Sequence, residues 1–155
     1  MKLYLIGSLR NPEVTLLAER IRKMGFDVFD DWMAAGPEAD DKWRDYEKAR
    51  GHTYAQAMHG HAAQHVFNYD KSHLDSSDLA VMLLPAGKSG HLELGYILGQ
   101  KKPAFILMPE GDAERWDVMY GFASAIFYAE VELIHHLRLM LSTRIVPPAG
   151  QGYGE

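Results

Sequence analysis

The sequence predicts an α/β fold: a three-layer, flavodoxin-like (Rossmann-like) sandwich around a five-stranded, mainly parallel sheet. Two observations carry that prediction. Short apolar runs without alternation, Leu3 to Ile6 and Leu79 to Leu84 above all, have the composition of strands buried on both faces. Stretches of helical period separate these runs, and strands that alternate with helices form parallel sheets through right-handed crossovers. Length agrees: 155 residues suffice for one domain that buries about two-thirds of the surface its unfolded chain exposes.

Taken in order, Leu3 to Ile6 is the first strand and Gly7-Ser8-Leu9-Arg10-Asn11 a turn. Asn11 suits an N-cap and Pro12 the first helical position. Leu16, Leu17, Ile21 and Met24 then recur at helical spacing until Gly25 ends the helix. Phe26 to Phe29 is a second, shorter strand. Asp30 to Asp41 is polar, with Gly36-Pro37 inside it, and reads as a loop. Residues 42 to 50 form a short helix, and Thr53 caps a longer one running to about Ser76. The third strand, Leu79 to Leu84, is the clearest in the chain. The loop Pro85-Ala86-Gly87-Lys88-Ser89-Gly90 leads to a helix from His91 to Gln100. Pro103 opens a fourth strand, Ala104 to Met108. A weak fifth, Ala125 to Phe127, precedes a final helix from about Ala129 to Leu141. Residues 1–146 thus make one domain, with 30–64 as a candidate lid and 147–155 as a mobile tail.

Composition bounds the function. Apolar residues make up 47% and charged residues 24%, as in ordinary globular domains. Without cysteine, disulfides and thiolate metal sites are excluded. The apolar start, Leu3 to Ile6, is too short for a secretory signal, and no stretch approaches the ~20 apolar residues of a membrane span. A cytoplasmic protein is expected, with no membrane partner. The formal charge of −5 argues against a general nucleic-acid partner and leaves a small nucleotide pocket open.

Ligands of such sheets sit beyond the carboxyl ends of the strands, near the switch point. Three loops reach that place: Gly7 to Arg10, Asp30-Asp31-Trp32, and Gly87 to Gly90 with Glu93 in the first turn of the next helix. Glu93 is read in two ways. It stabilises its helix start, the commoner role of an acid there, or it is a nucleophile kept ionised by the helix N-terminus. Asp75 and Asp78 read first as caps of the helix-to-strand turn. Asp70 is a solvated helix residue or the acid–base partner of Glu93. Ser8 and Arg10 form a plain turn or hold a phosphate. Tyr4 belongs to the core or points its hydroxyl at the crevice. Tyr54, Phe67, Tyr69 and Leu74 read as packing rather than a base-stacking platform. His61 and His65 share a helix face, but the zinc-protease pattern requires a glutamate where Ala62 stands, so no metal is expected. His91 neighbours Glu93 as a pocket-lining candidate.

Three segments, in order, resemble the nucleoside 2-deoxyribosyltransferase superfamily, including its deoxynucleoside 5′-monophosphate N-glycosidase branch. They are Leu3 to Arg10; Asp70 with Leu74 and Asp78 ahead of Leu79 to Leu84; and Ser89-Gly90-His91-Leu92-Glu93-Leu94-Gly95-Tyr96 followed by Gly99 and Lys102-Pro103. The likeness spans roughly residues 2 to 110. It implies that Glu93 attacks C1′ and forms a glycosyl-enzyme intermediate, that Asp70 assists departure of the base, and that Tyr4 positions the nucleophile. It implies further that Ser8, Arg10 and Ser89 lie near the sugar or its 5′ group and that the protein is a homodimer or higher homo-oligomer; Gly7, Gly90 and His91 are further substrate-site candidates, and no cofactor is expected. Where transferases of the family often carry an acidic residue before the nucleophile helix, this chain has Ala86-Gly87-Lys88. The expected substrate is a 2′-deoxyribonucleoside or its 5′-monophosphate, cleaved or transferred at the N-glycosidic bond. A nucleotide-binding sensor without turnover and an NAD glycohydrolase are the alternatives.

Overall fold

The computed structural model describes residues 1–109 and 116–145. Five strands, β1 (Lys2–Ile6), β2 (Asp27–Phe29), β3 (Leu79–Leu83), β4 (Ala104–Leu107) and β5 (Ala125–Phe127), form one sheet in the order β2-β1-β3-β4-β5. Every pairing is parallel, so the sheet is wholly rather than mainly so. Among the described residues six α-helices accompany it: α1 (Glu13–Arg22), α2 (Ala39–Ala49), α3 (Tyr54–Met58), α4 (His61–Ser76), α5 (Lys88–Gly99) and α6 (Glu130–Ile145).

The absence of alternation in the strands has a direct cause. Leu3, Leu5, Leu79, Val81, Leu83, Phe105 and Leu107 face one layer, where they meet α1 and α6 through Leu17, Ile21, Leu133 and Leu137. Tyr4, Ile6, Ala80, Met82, Ala104 and Ile106 face the other, against Leu74 of α4 and Leu94 and Ile97 of α5. Both faces are therefore covered, and the period-2 pattern of a half-solvated sheet has no reason to exist. From β1 the chain turns to α1 on one face; from β3 it turns to α5 on the other. That divergence between adjacent strands is the switch point.

Several local expectations shift. The first helix begins at Glu13, whose amide donates to Asn11 Oδ1 at 3.1 Å, and Gly25 at φ 102° ends the turn after it. Residues 30–41 are not one loop: a 3-10 helix, Asp31–Ala35, and the start of α2 lie within them. The helix expected from Thr53 to Ser76 is two. Thr53 and Gln56 form a reciprocal capping box on α3, which stops at His59, and Gly60 opens α4. The segment 147–155, expected to be a mobile tail, lies outside the described residues. Among the described residues no helix is long and apolar enough to cross a membrane.

Candidate active site

The faces of α4 and α5 meet over one face of the sheet. On α4, Phe67, Asp70, Lys71 and Leu74 recur at i, i+3, i+4 and i+7; on α5, Ser89, Leu92, Glu93 and Tyr96 repeat the same spacing. Residues so spaced share one side of a helix, and these eight line a single cavity of about 460 Å³, within the ~300–1,000 Å³ typical of small-molecule sites. Phe67 and Leu92, 58% and 75% exposed, form its mouth. Asp70 and Glu93 lie deeper.

Glu93 is not at its helix start. The helix begins at Lys88, three residues earlier than the sequence suggests, which puts Glu93 in the second turn and leaves the first without an acid. Dipole stabilisation, confined to the first turn, is thus not what Glu93 provides or receives. Instead the side chain meets Tyr4, whose hydroxyl donates to Glu93 Oε1 at 3.2 Å. Tyr4 is fully buried in β1, with its ring 5.1 Å from that of Phe29. Burial pushes the Glu93 carboxyl up to about 7; the Tyr4 hydrogen bond opposes this, and the charge of Asp70 adds to it. Burial also raises the Asp70 carboxyl. The Tyr4 hydroxyl is raised far above its usual range by burial, then by the charges of Glu93 and Asp70, so it remains a donor. Two neighbouring carboxyls disfavour double ionisation, and this pair therefore retains a proton to higher pH than isolated carboxylates do.

The other sequence candidates are placed differently. Ser89 lines the cavity. Gly90 is a packing requirement: a Cβ there would lie 2.9 Å from Ile6 Cγ2, so its absence lets α5 sit close on β1. Gly7 does the same for α1, since a Cβ would come within 2.5 Å of Val14 Cγ2. The Ser8 hydroxyl accepts from the Arg10 amide at 3.2 Å within its own turn. Arg10 is exposed and pairs with Asp41 of α2 at 3.1 Å. His91 faces away from the cavity, its ring nitrogens within 2.7 Å of Gly87 O and 3.0 Å of Tyr120 Oη. The cavity lining therefore gathers Asp70, Ser89 and Glu93, with Tyr4 behind Glu93, and leaves out Gly7, Ser8, Arg10, Gly90 and His91. Of the residues expected to pack, Leu74 is buried and Tyr69 lies tilted against Phe29, but Phe67 opens onto the cavity. The Trp32 indole donates to Leu5 O at 2.9 Å, and Asp30 is bound by Arg22; both serve the scaffold.

Lys71, Leu92 and Tyr96 were missed as lining residues. Lys71 and Tyr96 stand four residues after Phe67 and Leu92, and Leu92 three after Ser89; those spacings were present in the sequence, but the pairing of α4 with α5 was not. The Asp75 carboxylate reaches Tyr96 on α5 and Gln100 just after it rather than its own turn. Asp78 accepts from the amide of Lys2 in β1 at 2.8 Å, a contact with the neighbouring strand rather than within its own turn. A second cavity of similar size, between β5 and α6, is lined by Phe127, Val131, Glu132, His135, His136 and Leu139; its single acid offers no carboxylate pair. Among the described residues no group of three or more histidines and acids is placed to hold a metal ion.

No protein-family model and no curated protein matches the chain. Among solved structures it is similar to the 2-deoxyribosyltransferase of the psychrotolerant bacterium Bacillus psychrosaccharolyticus, with a TM-score of 0.57 and 19% sequence identity over 86% of this chain and 90% of that one. At that identity the likeness establishes a shared α/β fold.

Proposed function

We propose that this protein belongs to the nucleoside 2-deoxyribosyltransferase superfamily and cleaves the N-glycosidic bond of 2′-deoxyribonucleosides or their 5′-monophosphates through a covalent glycosyl-Glu93 intermediate. The observation that carries the reading is the carboxylate pair, Asp70 and Glu93, in one cavity with the Tyr4 hydroxyl donating to Glu93. Retaining glycosyl chemistry needs this set: one carboxylate to attack and one group to protonate the leaving atom. The similar solved structure, a 2-deoxyribosyltransferase, supports the same reading.

In the first step a Glu93 oxygen forms a bond to C1′ while the C1′–N bond breaks, its electrons leaving on the base. Asp70, its carboxyl raised by burial, supplies the proton that neutralises the departing nitrogen. Tyr4 orients the attacking carboxylate. In the second step an acceptor attacks C1′, Glu93 leaves, and the acceptor's proton passes to Asp70. A second base makes the enzyme a transferase, the outcome we favour; water makes it a hydrolase. The mouth residues Phe67 and Leu92, with Val66 and Tyr69 also exposed on α4, support a homo-oligomer that covers this face. The 30–64 segment, joined to the first loop by Arg10–Asp41, is the proposed lid.

Chromatography of the purified protein with deoxyinosine, with and without adenine and repeated with the 5′-monophosphates, tests this. Deoxyadenosine formed only with adenine identifies the transferase. Free base and deoxyribose without an acceptor identify the hydrolase. No reaction with any of them rejects the proposal in favour of a nucleotide sensor or, if nicotinamide is released from NAD, an NAD glycohydrolase.

A further inference from the structure

The cavity wall holds a cation that does not face the carboxylate pair. Lys71 follows Asp70 directly and lines the same cavity as Glu93, yet its ammonium donates to Asp75 Oδ2 at 2.6 Å. Asp75 Oδ1 accepts from the Tyr96 hydroxyl at 2.7 Å and from Gln100 Nε2 at 2.8 Å. The Asp75 backbone carbonyl takes the Lys102 ammonium at 2.6 Å. One residue of α4 thus gathers three side chains from α5 and the turn after it. Lys71 also sits 5.2 Å over the Tyr96 ring.

We infer that Asp75 is a positioning residue of this site: its carboxylate ties α4 to α5 and holds the Lys71 ammonium out of the Asp70–Glu93 pair. The inference rests on the proposed function for its catalytic meaning and on geometry for its content. An ammonium that joined two carboxylates in a half-enclosed cavity would favour their ionised forms. It would also occupy the space where a sugar must sit. Asp75 prevents both by offering Lys71 a partner that is itself locked by two neutral donors. Lys71, followed by Tyr96 and Gln100, holds the Asp75 carboxyl well below the usual carboxylate range, so the clamp persists wherever the pair titrates. The ionisable groups around Glu93 are Asp70, Lys71 and Asp75 from α4, Tyr4 from β1 and Tyr96 from its own helix; the faces of β3 and β4 beneath it contribute Ala80, Met82, Ala104 and Ile106.

Asp75→Asn isolates the effect, because the amide oxygen still accepts from Tyr96 and Gln100 while Lys71 is released. The test is the NMR carboxyl titration of Glu93 in the free protein, paired with the acid limb of kcat/KM. In Asp75→Asn the Glu93 midpoint falls from about 7 toward about 6, and the acid limb moves with it. Adding Lys71→Met to that variant returns the midpoint toward the wild-type value, which a role confined to stability would not do. Lys71→Met alone leaves the midpoint in place. An unshifted midpoint in a folded Asp75→Asn protein overturns the inference. So does a midpoint that rises in Lys71→Met alone, a variant at a half-exposed position that keeps the test available should Asp75→Asn not fold. The titration uses no substrate, so its outcome is separate from whether deoxyribosides are turned over.

Discussion

The α4–α5 cleft and the α2–α3 excursion are both helical and both rich in charge, but they are held by different forces. The cleft rests on Leu74, Leu94 and Ile97, all packed against the middle of the sheet, and its charges are organised around fixed partners. The excursion buries little. In α2 only Glu47 is buried, held by His52 at 2.6 Å. Beyond the Thr53–Gln56 capping box and a Trp43–Tyr54 ring contact, the excursion has local ion pairs such as Glu38–Lys42 at 3.4 Å and Asp41–Arg44 at 2.8 Å. Exposed pairs of this kind contribute ~0–1 kcal/mol each. A site that needs its groups fixed to within about 0.5 Å belongs on the first platform, and the carboxylate pair is found there.

The largest effects should therefore come from the floor of the cleft. Glu93→Gln is expected to lower turnover by on the order of 10³-fold or more, read as single-turnover base release; wild-type rates would reject Glu93 as the nucleophile. The same variant sharpens the argument through stability. Glu93 has a folded value near 7 against an ordinary 4.5, so the folded protein binds this proton more tightly than the unfolded chain. Wild-type stability consequently declines as pH rises from about 4.5 to about 7, relative to a variant that cannot titrate. Above pH 7 Glu93→Gln should be more stable than wild type by about 3 kcal/mol, and near pH 4 the advantage should vanish. Urea unfolding at the two pH values measures the difference, and an advantage that does not change with pH would remove burial of the charge as its cause.

Asp70→Asn comes next. An amide cannot give the leaving base a proton, and a loss of about 10²-fold in base release is expected. If Asp70 supplies that proton, the loss should be smallest for substrates whose base departs easily. An equal loss for every base would leave Asp70 a role in binding only. Tyr4→Phe should be milder, about tenfold, because the carboxylate remains and only its orienting hydrogen bond, worth ~1.5 kcal/mol, is lost. Since that bond lowers the Glu93 value, its removal should move the acid limb of kcat/KM to higher pH. A limb that stays put would mean that the contact at 3.2 Å does not operate in solution.

The difference between the two regions also decides what could be read from the sequence. The strands were legible because burial on both faces leaves continuous apolar runs, and the sheet order followed from their alternation with helices. Tyr4, Asp70, Ser89 and Glu93 could be singled out; the last three line one cavity and Tyr4 stands behind Glu93. The start of α5 was misjudged because Lys88, Ser89 and Gly90 carry loop propensities, although Gly90 is required by close packing on Ile6. That error placed Glu93 beside the helix terminus, where a depressed value would follow, whereas burial in the second turn raises it. The excursion was least legible. The body of α2 was expected at residues 42 to 50, but its first turn, Ala39 to Asp41, is polar and follows Gly36-Pro37, and the break at Gly60 is a single residue in a stretch that otherwise reads as helix. Asp75 was read as a cap because its partners on α5 and just after it are 21 and 25 residues away, which no local pattern encodes.

Asp41→Ala, in the excursion, should have the smallest effect and gives the comparison its control. Asp41 pairs with Arg10 at 3.1 Å and Arg44 at 2.8 Å, and all three side chains are 44% exposed or more. Water and salt screen such pairs, so their loss should cost less than about 1 kcal/mol of stability, and the cost should shrink further at 1 M salt, where the Debye length is about 3 Å. Base release should change by no more than a few-fold if the excursion is only a solvated appendage. If 30–64 closes over the cleft as a lid, releasing Arg10 from Asp41 should alter KM more than kcat, since the contact would govern access rather than the step at C1′. A change confined to kcat would contradict the lid, and it would also mean that the Gly7 to Arg10 loop touches the reacting groups more closely than its present position beside α2 implies.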